Sequence, residues 1–336
     1  MKLSLIYAGG LYDRTVALQN GSVSAEGIDL NFVMMHAGEF QRRQARNAEF
    51  DASEFSLSTY TILLSQGDRR LIGIPVFPSR RFRHSDIYIN TKSGIHEPKD
   101  LIGKRVGAME YQQTAGVWIR GILEDEYGVG AEQIEWYFGG YHEPKNYTER
   151  VPVTLPPNVR TVTISNRQSL DQMLDCGEID ALVGATPPPS FRNRSPNVSR
   201  LFPNFKEVEL AYFKRTGIFP IMHMVVLKRD VYEKNPWVAT SLYKAFVRAK
   251  MQGKRHMEFQ YGGGLFCSLP WLWSHLEETR EQMGSDPFMY GLEENRAVLE
   301  VFLKYSYRQG MISKPLTVNE LFAPETYRGV ELAGPY

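Results

Sequence analysis

Residues 77–90 read FPSRRFRHSDIYIN, and they place Arg80, Arg81, Arg83 and His84 within five positions, directly ahead of a run that alternates like a strand. Exposed basic residues normally spread out, because like charges repel and each is better solvated alone. Bunching them where a strand begins implies that something at this point of the fold needs several cations together. The stretch also falls between two units of β-α-β rhythm. One ends with the apolar strand Leu71 to Val76, and the other starts after Asn90.

The chain has 336 residues, 43% hydrophobic and 23% charged, with a formal charge of +1, which describes an ordinary globular protein long enough for two cores. A balance so near neutrality offers no general attraction for nucleic acid or an anionic membrane, so recognition by charge must come from a local cluster. The amino terminus, MKLSLIYAGGLYDRT, holds too short an apolar stretch for a signal-peptide core. No segment approaches the roughly 18 apolar residues of a membrane span, and a cytoplasmic protein is expected. The two cysteines, Cys176 and Cys267, form no CxxC pair and are expected to be buried free thiols.

Short apolar runs alternate with stretches of helical period, the pattern of an α/β fold with mostly parallel strands. Strands are expected at 3–7, 28–35, 50–53 and 71–76. A helix follows the first, a second covers 39–48, and a third is capped by Ser56 with Leu57, Tyr60, Leu63 and Leu64 on one side. Beyond Asn90 the pattern predicts a strand over 103–109 and a helix bearing Ala115, Trp118, Ile119, Ile122 and Leu123 that stops at Gly128. Trp118 and Ile119 belong to its apolar stripe and are expected in the core. A helix over 169–175 and strands over 179–183 and 221–227 come next. A helix then opens at Asn235-Pro236, and a last one carries Val298, Leu299, Phe302 and Leu303. Between the second unit's elements lies YHEPKNYTERVPVTLPPNV, 141–159, long enough for a flap or a dimer contact, so a homo-oligomer is open. The glycines of YGGGLFCSLPWLW, 261–273, lack a GxxxxGK[ST] frame and read as a turn. There is no HExxH, HxH or Gly-x-Ser-x-Gly, so a metal ion would need ligands from distant segments, and no cofactor is expected.

The phrases DLIGKRVGAMEYQQTAGVWIRGILEDEYGV and LDCGEIDALVGATPP resemble the second lobe of the type II periplasmic-binding-protein fold. More narrowly, YDRT, EFSLSTY, FPSRRFRHSDIYIN and GIFPIMHMVVLKRDVYEKNPW resemble the 4,5-dihydroxyphthalate decarboxylase family, nearly end to end. The resemblance implies two mixed, mostly parallel α/β lobes with ligand between them. Lobe one would be 1–83 with 228–336 and lobe two 91–220, joined by crossover strands at 84–90 and 221–227. The basic cluster would then sit at the hinge, where an aromatic dicarboxylate could relieve its repulsion.

Ligands in open α/β sheets bind beyond the carboxyl ends of the strands. The loops there supply Arg14, Glu54, Ser56, Glu110, Tyr111, Thr114 and Thr186, and the hinge adds Arg80, Arg83, His84 and His223. Guanidinium groups suit bidentate carboxylate capture, although surface or interlobe ion pairs are the plainer use of Arg80, Arg81 and Arg83. His84 and His223, one at each hinge, could donate a proton near neutral pH or simply be hydrogen-bonded structural residues. Glu54 could meet a substrate hydroxyl, or owe its ionisation to a helix N-terminus. Arg14 could clamp an anion or pair with Asp13.

The reaction implied by the resemblance converts 4,5-dihydroxyphthalate to 3,4-dihydroxybenzoate and carbon dioxide. Each carboxylate lies para to a hydroxyl, whose electrons can reach the ring carbon that must take a proton, and no electron-sink cofactor is required. Such a site needs a clamp, for which Arg80, Arg83 and Arg14 are candidates, a proton donor, His84 or His223, and an acceptor at the hydroxyl, Glu54 or the other histidine. A solute-binding protein for an aromatic carboxylate, or a decarboxylase of another para-hydroxylated benzoate, would share much of this equipment.

Overall fold

The computed structural model describes residues 1–259 and 268–330. The first unit runs β1 (Leu3–Gly9), α1 (Val16–Gln19), β2 (Ile28–Met34), α2 (Ala37–Asn47), β3 (Ala52–Ser56), α3 (Leu57–Ser65) and β4 (Leu71–Arg80). The second runs β5 (Ile87–Asn90), β6 (Arg105–Ala108), α4 (Thr114–Tyr127), β7 (Glu135–Phe138), β8 (Arg160–Thr163), α5 (Leu170–Cys176), β9 (Ala181–Val183), α6 (Pro189–Arg192), β10 (Val198–Arg200) and α7 (Phe205–Thr216). After them come β11 (Ile221–Lys228), α8 (Arg229–Lys234), α9 (Trp237–Phe259), α10 (Leu272–Met283) and α11 (Arg296–Arg308).

Two mixed sheets result. Sheet one has the order β2-β1-β3-β11-β4 and sheet two β10-β5-β9-β6-β7-β8. The β-α-β stretches pair in parallel, whereas β11 is antiparallel to both β3 and β4, and β5 is antiparallel to β9 and β10. The chain therefore crosses to sheet two through 81–86 and returns through 217–220, and the strand after each crossing lies wholly in one sheet. Residues 84–86 form a 3-10 turn where the alternation suggested the start of a strand.

The expected caps form. Ser56 accepts from the Thr59 N–H at the start of α3, and Gly128 closes α4 in the left-handed conformation that a Cβ would disfavour. Trp118 and Ile119 are core residues, and the Trp118 indole N–H donates to the Ile221 carbonyl at 2.9 Å, tying α4 to the start of β11. Helix α11 packs on α4 through Phe302 and Tyr305, which meet the Trp118 ring, so one apolar core runs through the junction of the sheets. Gly121 permits this approach, because a Cβ there would overlap the Tyr305 ring.

Four elements of the second unit, β7, β8, β10 and α7, carry too little periodicity to be read from sequence. Strand β8 lies at the sheet edge with three of its four residues exposed, and only Glu209 and Tyr212 of α7 are buried. Cys176 is exposed, contrary to the expectation of two buried thiols, because it ends α5 with its thiol turned to Glu178. Cys267 and the glycine-rich turn at 262–264 lie outside the described residues.

Candidate active site

The IPVFPSR stretch of β4 decides the local geometry. Two steps along β11, His223 to Val225, are matched by five along β4, Ser79 to Ile74, so β4 bulges between them. Pro75 and Pro78 lie in the bulge, and neither has an N–H to give to a ladder. Their carbonyls are used elsewhere: Pro78 accepts from Arg14 Nε at 2.6 Å and Pro75 from the Gly291 N–H at 2.9 Å.

On the other side of β11 the register is regular, with His223 opposite Ser56 and Val225 opposite Glu54. This puts His223 and Glu54 on the same face as diagonal neighbours, within reach of each other's long side chains. The His223 Nδ1 and Glu54 Oε1 are 2.5 Å apart. Glu54 also accepts from the Gly10 N–H at 2.9 Å and the Tyr12 hydroxyl at 2.8 Å. Burial alone would push this fully enclosed carboxyl up, but His223, the Gly10 N–H and Tyr12 together hold it below the usual carboxylate range. Three protein groups meet Glu54, and through His223 Nδ1 it orients the imidazole. Tyr12 itself is pushed well up by burial and by the Glu54 charge, so it stays a neutral donor.

The other imidazole nitrogen, Nε2, faces the Gln41 side-chain amide at 3.1 Å, and Gln41 Oε1 accepts from Arg150 Nη1 at 2.7 Å. A guanidinium can only donate, so it fixes the amide with its oxygen toward Arg150 and its N–H toward His223. The amide N–H thus faces His223 Nε2, and Glu54 lies at Nδ1. Arg150 also donates to the Thr59 hydroxyl at 3.4 Å and stands 3.7 Å from Glu110 Oε2. Nearby, the Ser56 and Thr114 hydroxyls meet at 2.9 Å, joining the carboxyl end of β3 to the first turn of α4.

The loops after β1, β3 and β6 thus converge as expected, and they bring together Glu54, His223, Ser56, Thr114 and Glu110. Arg14 borders the group, seated between the Tyr12 and Phe288 rings at 4.3 Å from each and bonded to Pro78 and Asp13. Gly253 of α9 makes room for that loop, since a Cβ there would overlap the Asp13 carbonyl.

The remaining candidates sit elsewhere. Arg80 turns into the first unit, where it donates to the carbonyls of Phe219 (3.3 Å) and Met289 (2.8 Å) and to the Asn295 amide oxygen, and burial pulls its pKa down to about 10. Arg83 and Arg81 grip the two oxygens of buried Asp86 at 2.8 Å each. His84 packs against Phe202 and Tyr212, and both ring nitrogens lack a hydrogen-bond partner among the described residues. Burial first, then the Arg215 charge, push its pKa down to about 4, so it is neutral at pH 7. The contacts of His84 and His223 have no residue in common. The Tyr111 ring lies under Arg120 (3.7 Å) in the core of the second unit. Exposed Thr186 pairs with His142 at 3.2 Å.

Tyr12, Gln41 and Arg150 are the site residues that the sequence reading missed. Tyr12 lies inside the quoted YDRT, Gln41 on a helix valued only for its period, and Arg150 in the proline-bearing excursion. The length of that excursion was its one sequence signal. Among the described residues, no three His, Cys, Asp or Glu side chains are grouped to hold a metal ion.

No family model matches the chain. It is 36% identical over 331 residues to a 4,5-dihydroxyphthalate decarboxylase of Comamonas testosteroni, a match that covers 98% of this chain and 99% of that protein. The chain belongs to the 4,5-dihydroxyphthalate decarboxylase family. A second decarboxylase of that name, from Pseudomonas putida, is 40% identical over 201 residues, which cover 60% of this chain and 78% of the relative. Among solved structures, the periplasmic aliphatic sulphonate binding protein SsuA of Escherichia coli aligns over 97% of this chain and 99% of its own at a TM-score of 0.54. At 12% identity that likeness speaks for the fold, a two-lobed binding-protein scaffold, which in this family carries a decarboxylase.

Proposed function

We propose that this chain converts 4,5-dihydroxyphthalate to 3,4-dihydroxybenzoate and carbon dioxide, with His223 as the proton donor. The lobes, 1–83 with 228–336 against 91–220, part to admit the dianion and close around it. Two added negative charges beside the imidazole favour its protonated form once the Gln41 amide has swung off Nε2, and Glu54, already ionised, supports the same change. The imidazolium N–H then passes its proton to the ring carbon that bears one carboxylate, drawn by electron density from the hydroxyl para to it. The C–CO2 bond breaks, its electron pair restores the aromatic ring, and neutral carbon dioxide leaves. Exclusion of water strengthens each of these contacts.

Glu54 and Tyr12 keep the imidazole in one orientation throughout. The Ser56 and Thr114 hydroxyls, at the seam of the two lobes, suit a catechol oxygen. The ring of a para-hydroxylated benzoate is its own electron sink, so no metal or organic cofactor enters the steps proposed here. The exposed thiol of Cys176 suits a reducing compartment and supports a cytoplasmic setting. Among the described residues no helix is long and apolar enough to cross a membrane.

The observation that carries the mechanism is the His223 imidazole, held by Glu54 on one nitrogen and facing the Gln41 amide on the other. The test follows carbon dioxide from purified protein and 4,5-dihydroxyphthalate in D2O, with and without chelator. Release of carbon dioxide, with deuterium at the vacated ring carbon and indifference to chelator, is the expected result. Tight binding without release would make the chain a solute-binding protein, and loss of turnover in chelator would overturn the cofactor-free mechanism.

A further inference from the structure

The segment 141–159 brings more than length to the junction. Arg150, at its centre, is 10% exposed, and its Nε has no partner among the described residues. Facing it at 3.7 Å, beyond hydrogen-bond distance, is Glu110 Oε2, also buried and without a partner. Ser58 Oγ and Gln112 Oε1 are buried and partnerless too. The contacts of these residues run between the same segments. Ser58 N–H donates to Thr114 at 3.2 Å, Arg150 reaches the adjoining Thr59, and Gln112 Nε2 donates to Glu149 and Val151, the neighbours of Arg150, at 2.5 and 2.6 Å. Buried polar groups nearly always find partners, and a cluster of such orphans from three separate segments marks a place where a polar ligand belongs.

We propose that Arg150, with Ser58 and Gln112, forms a subsite for an aromatic carboxylate, and that it holds the carboxylate that stays on the ring. The idea rests on the decarboxylase reading for the identity of the substrate. A guanidinium with a free Nε edge offers the parallel N–H pair that a carboxylate takes in bidentate fashion. The position suits the chemistry as well. One amide side chain, Gln41, separates Arg150 from the His223 imidazole, so a carboxylate on Arg150 sets its ring beside the proton donor. Burial, its main influence, raises the pKa of Glu110, which lessens its repulsion of the ligand.

The test measures binding of phthalate, which has both carboxylates and no hydroxyl, and of catechol, which has the hydroxyls and no carboxylate. Arg150→Gln should weaken phthalate by about thirty-fold or more, as expected on removing one partner of a buried charge pair, and leave catechol within two-fold. Arg150→Lys, which keeps the charge and loses the fork, should give a smaller loss for phthalate with catechol again unchanged. Glu110→Gln should not weaken phthalate. Phthalate affinity that is insensitive to Arg150, no phthalate binding to wild type, or parallel loss of both ligands in both Arg150 variants would overturn the subsite. If phthalate binding depends on Arg150 and carbon dioxide is never released from 4,5-dihydroxyphthalate, the subsite stands and the proposed reaction falls.

Discussion

Arg80, Arg81 and Arg83 at the first crossing and Arg150 in the proline-bearing segment are all cations at the junction of the two sheets, yet their surroundings differ in kind. At the crossing, Asp86 holds Arg81 and Arg83, and carbonyls with the Asn295 amide hold Arg80, whose Nε has no partner but whose Nη2 is taken by Met289 and Asn295. At Arg150 neither Nε nor Nη2 has a hydrogen-bond partner among the described residues, so the whole edge is open beside an unused carboxyl oxygen. A dense run of charge in a sequence therefore marks where the chain changes sheets, and a single charge with unspent hydrogen bonds marks where a ligand can go. Cations whose paired N–H edge is occupied serve the fold. One whose edge is open is free to serve chemistry.

The contrast is broken most severely if His223, the residue beside the unsaturated group, proves dispensable. His223→Ala should lower kcat by about 10^2- to 10^4-fold with a small change in KM, as for loss of a general acid, and steady-state carbon dioxide release measures both. At the crossing the largest effect should fall on stability. Asp86→Ala leaves Arg83, 4% exposed, as a buried unpaired cation and should cost about 3–5 kcal/mol in urea unfolding, with little effect on the turnover of the protein that remains folded. A large loss of kcat per folded molecule would move the crossing into the active site.

His84 sharpens the same comparison through pH. Its pKa is pushed down to about 4 in the folded protein, against about 6.5 unfolded, so below pH 6.5 the unfolded chain binds the extra proton. Stability falls as pH drops from about 6.5 toward 4. Wild type should lose about 2 kcal/mol more than His84→Phe between pH 7 and pH 5, read from urea titrations at both. Equal losses would mean that His84 is already charged or exposed at pH 7. A purely structural effect belongs to Gly121→Ala, whose Cβ meets the Tyr305 ring. It should destabilise by about 1–3 kcal/mol through overpacking at the α4–α11 contact and leave KM unchanged.

Much of the scaffold was legible in the chain. Ser56 and Gly128 announced helix ends because caps are local, and the apolar runs 3–7, 28–35 and 71–76 marked strands that the structure sets at 3–9, 28–34 and 71–80. Glu54, Ser56 and Thr114 were readable as strand-end and helix-start residues because such ends are fixed by local signals. The crossing arginines looked functional for a sound reason, their mutual repulsion, but the counter-charge of Asp86 lay only three residues from Arg83, and nothing in the sequence showed that it would be enclosed with them.

The sequence by itself determined two β-α-β units, their helix caps and the resemblance to a decarboxylase family, because these depend on the order of neighbouring residues. Tertiary structure alone decided which histidine meets a carboxylate and which arginine is left with an open edge. His223 finds Glu54 across 169 positions and Gln41 across 182, and Arg150 finds Gln41 across 109. Whether a buried polar atom is satisfied is a property of everything packed around it, so no window of sequence contains the answer.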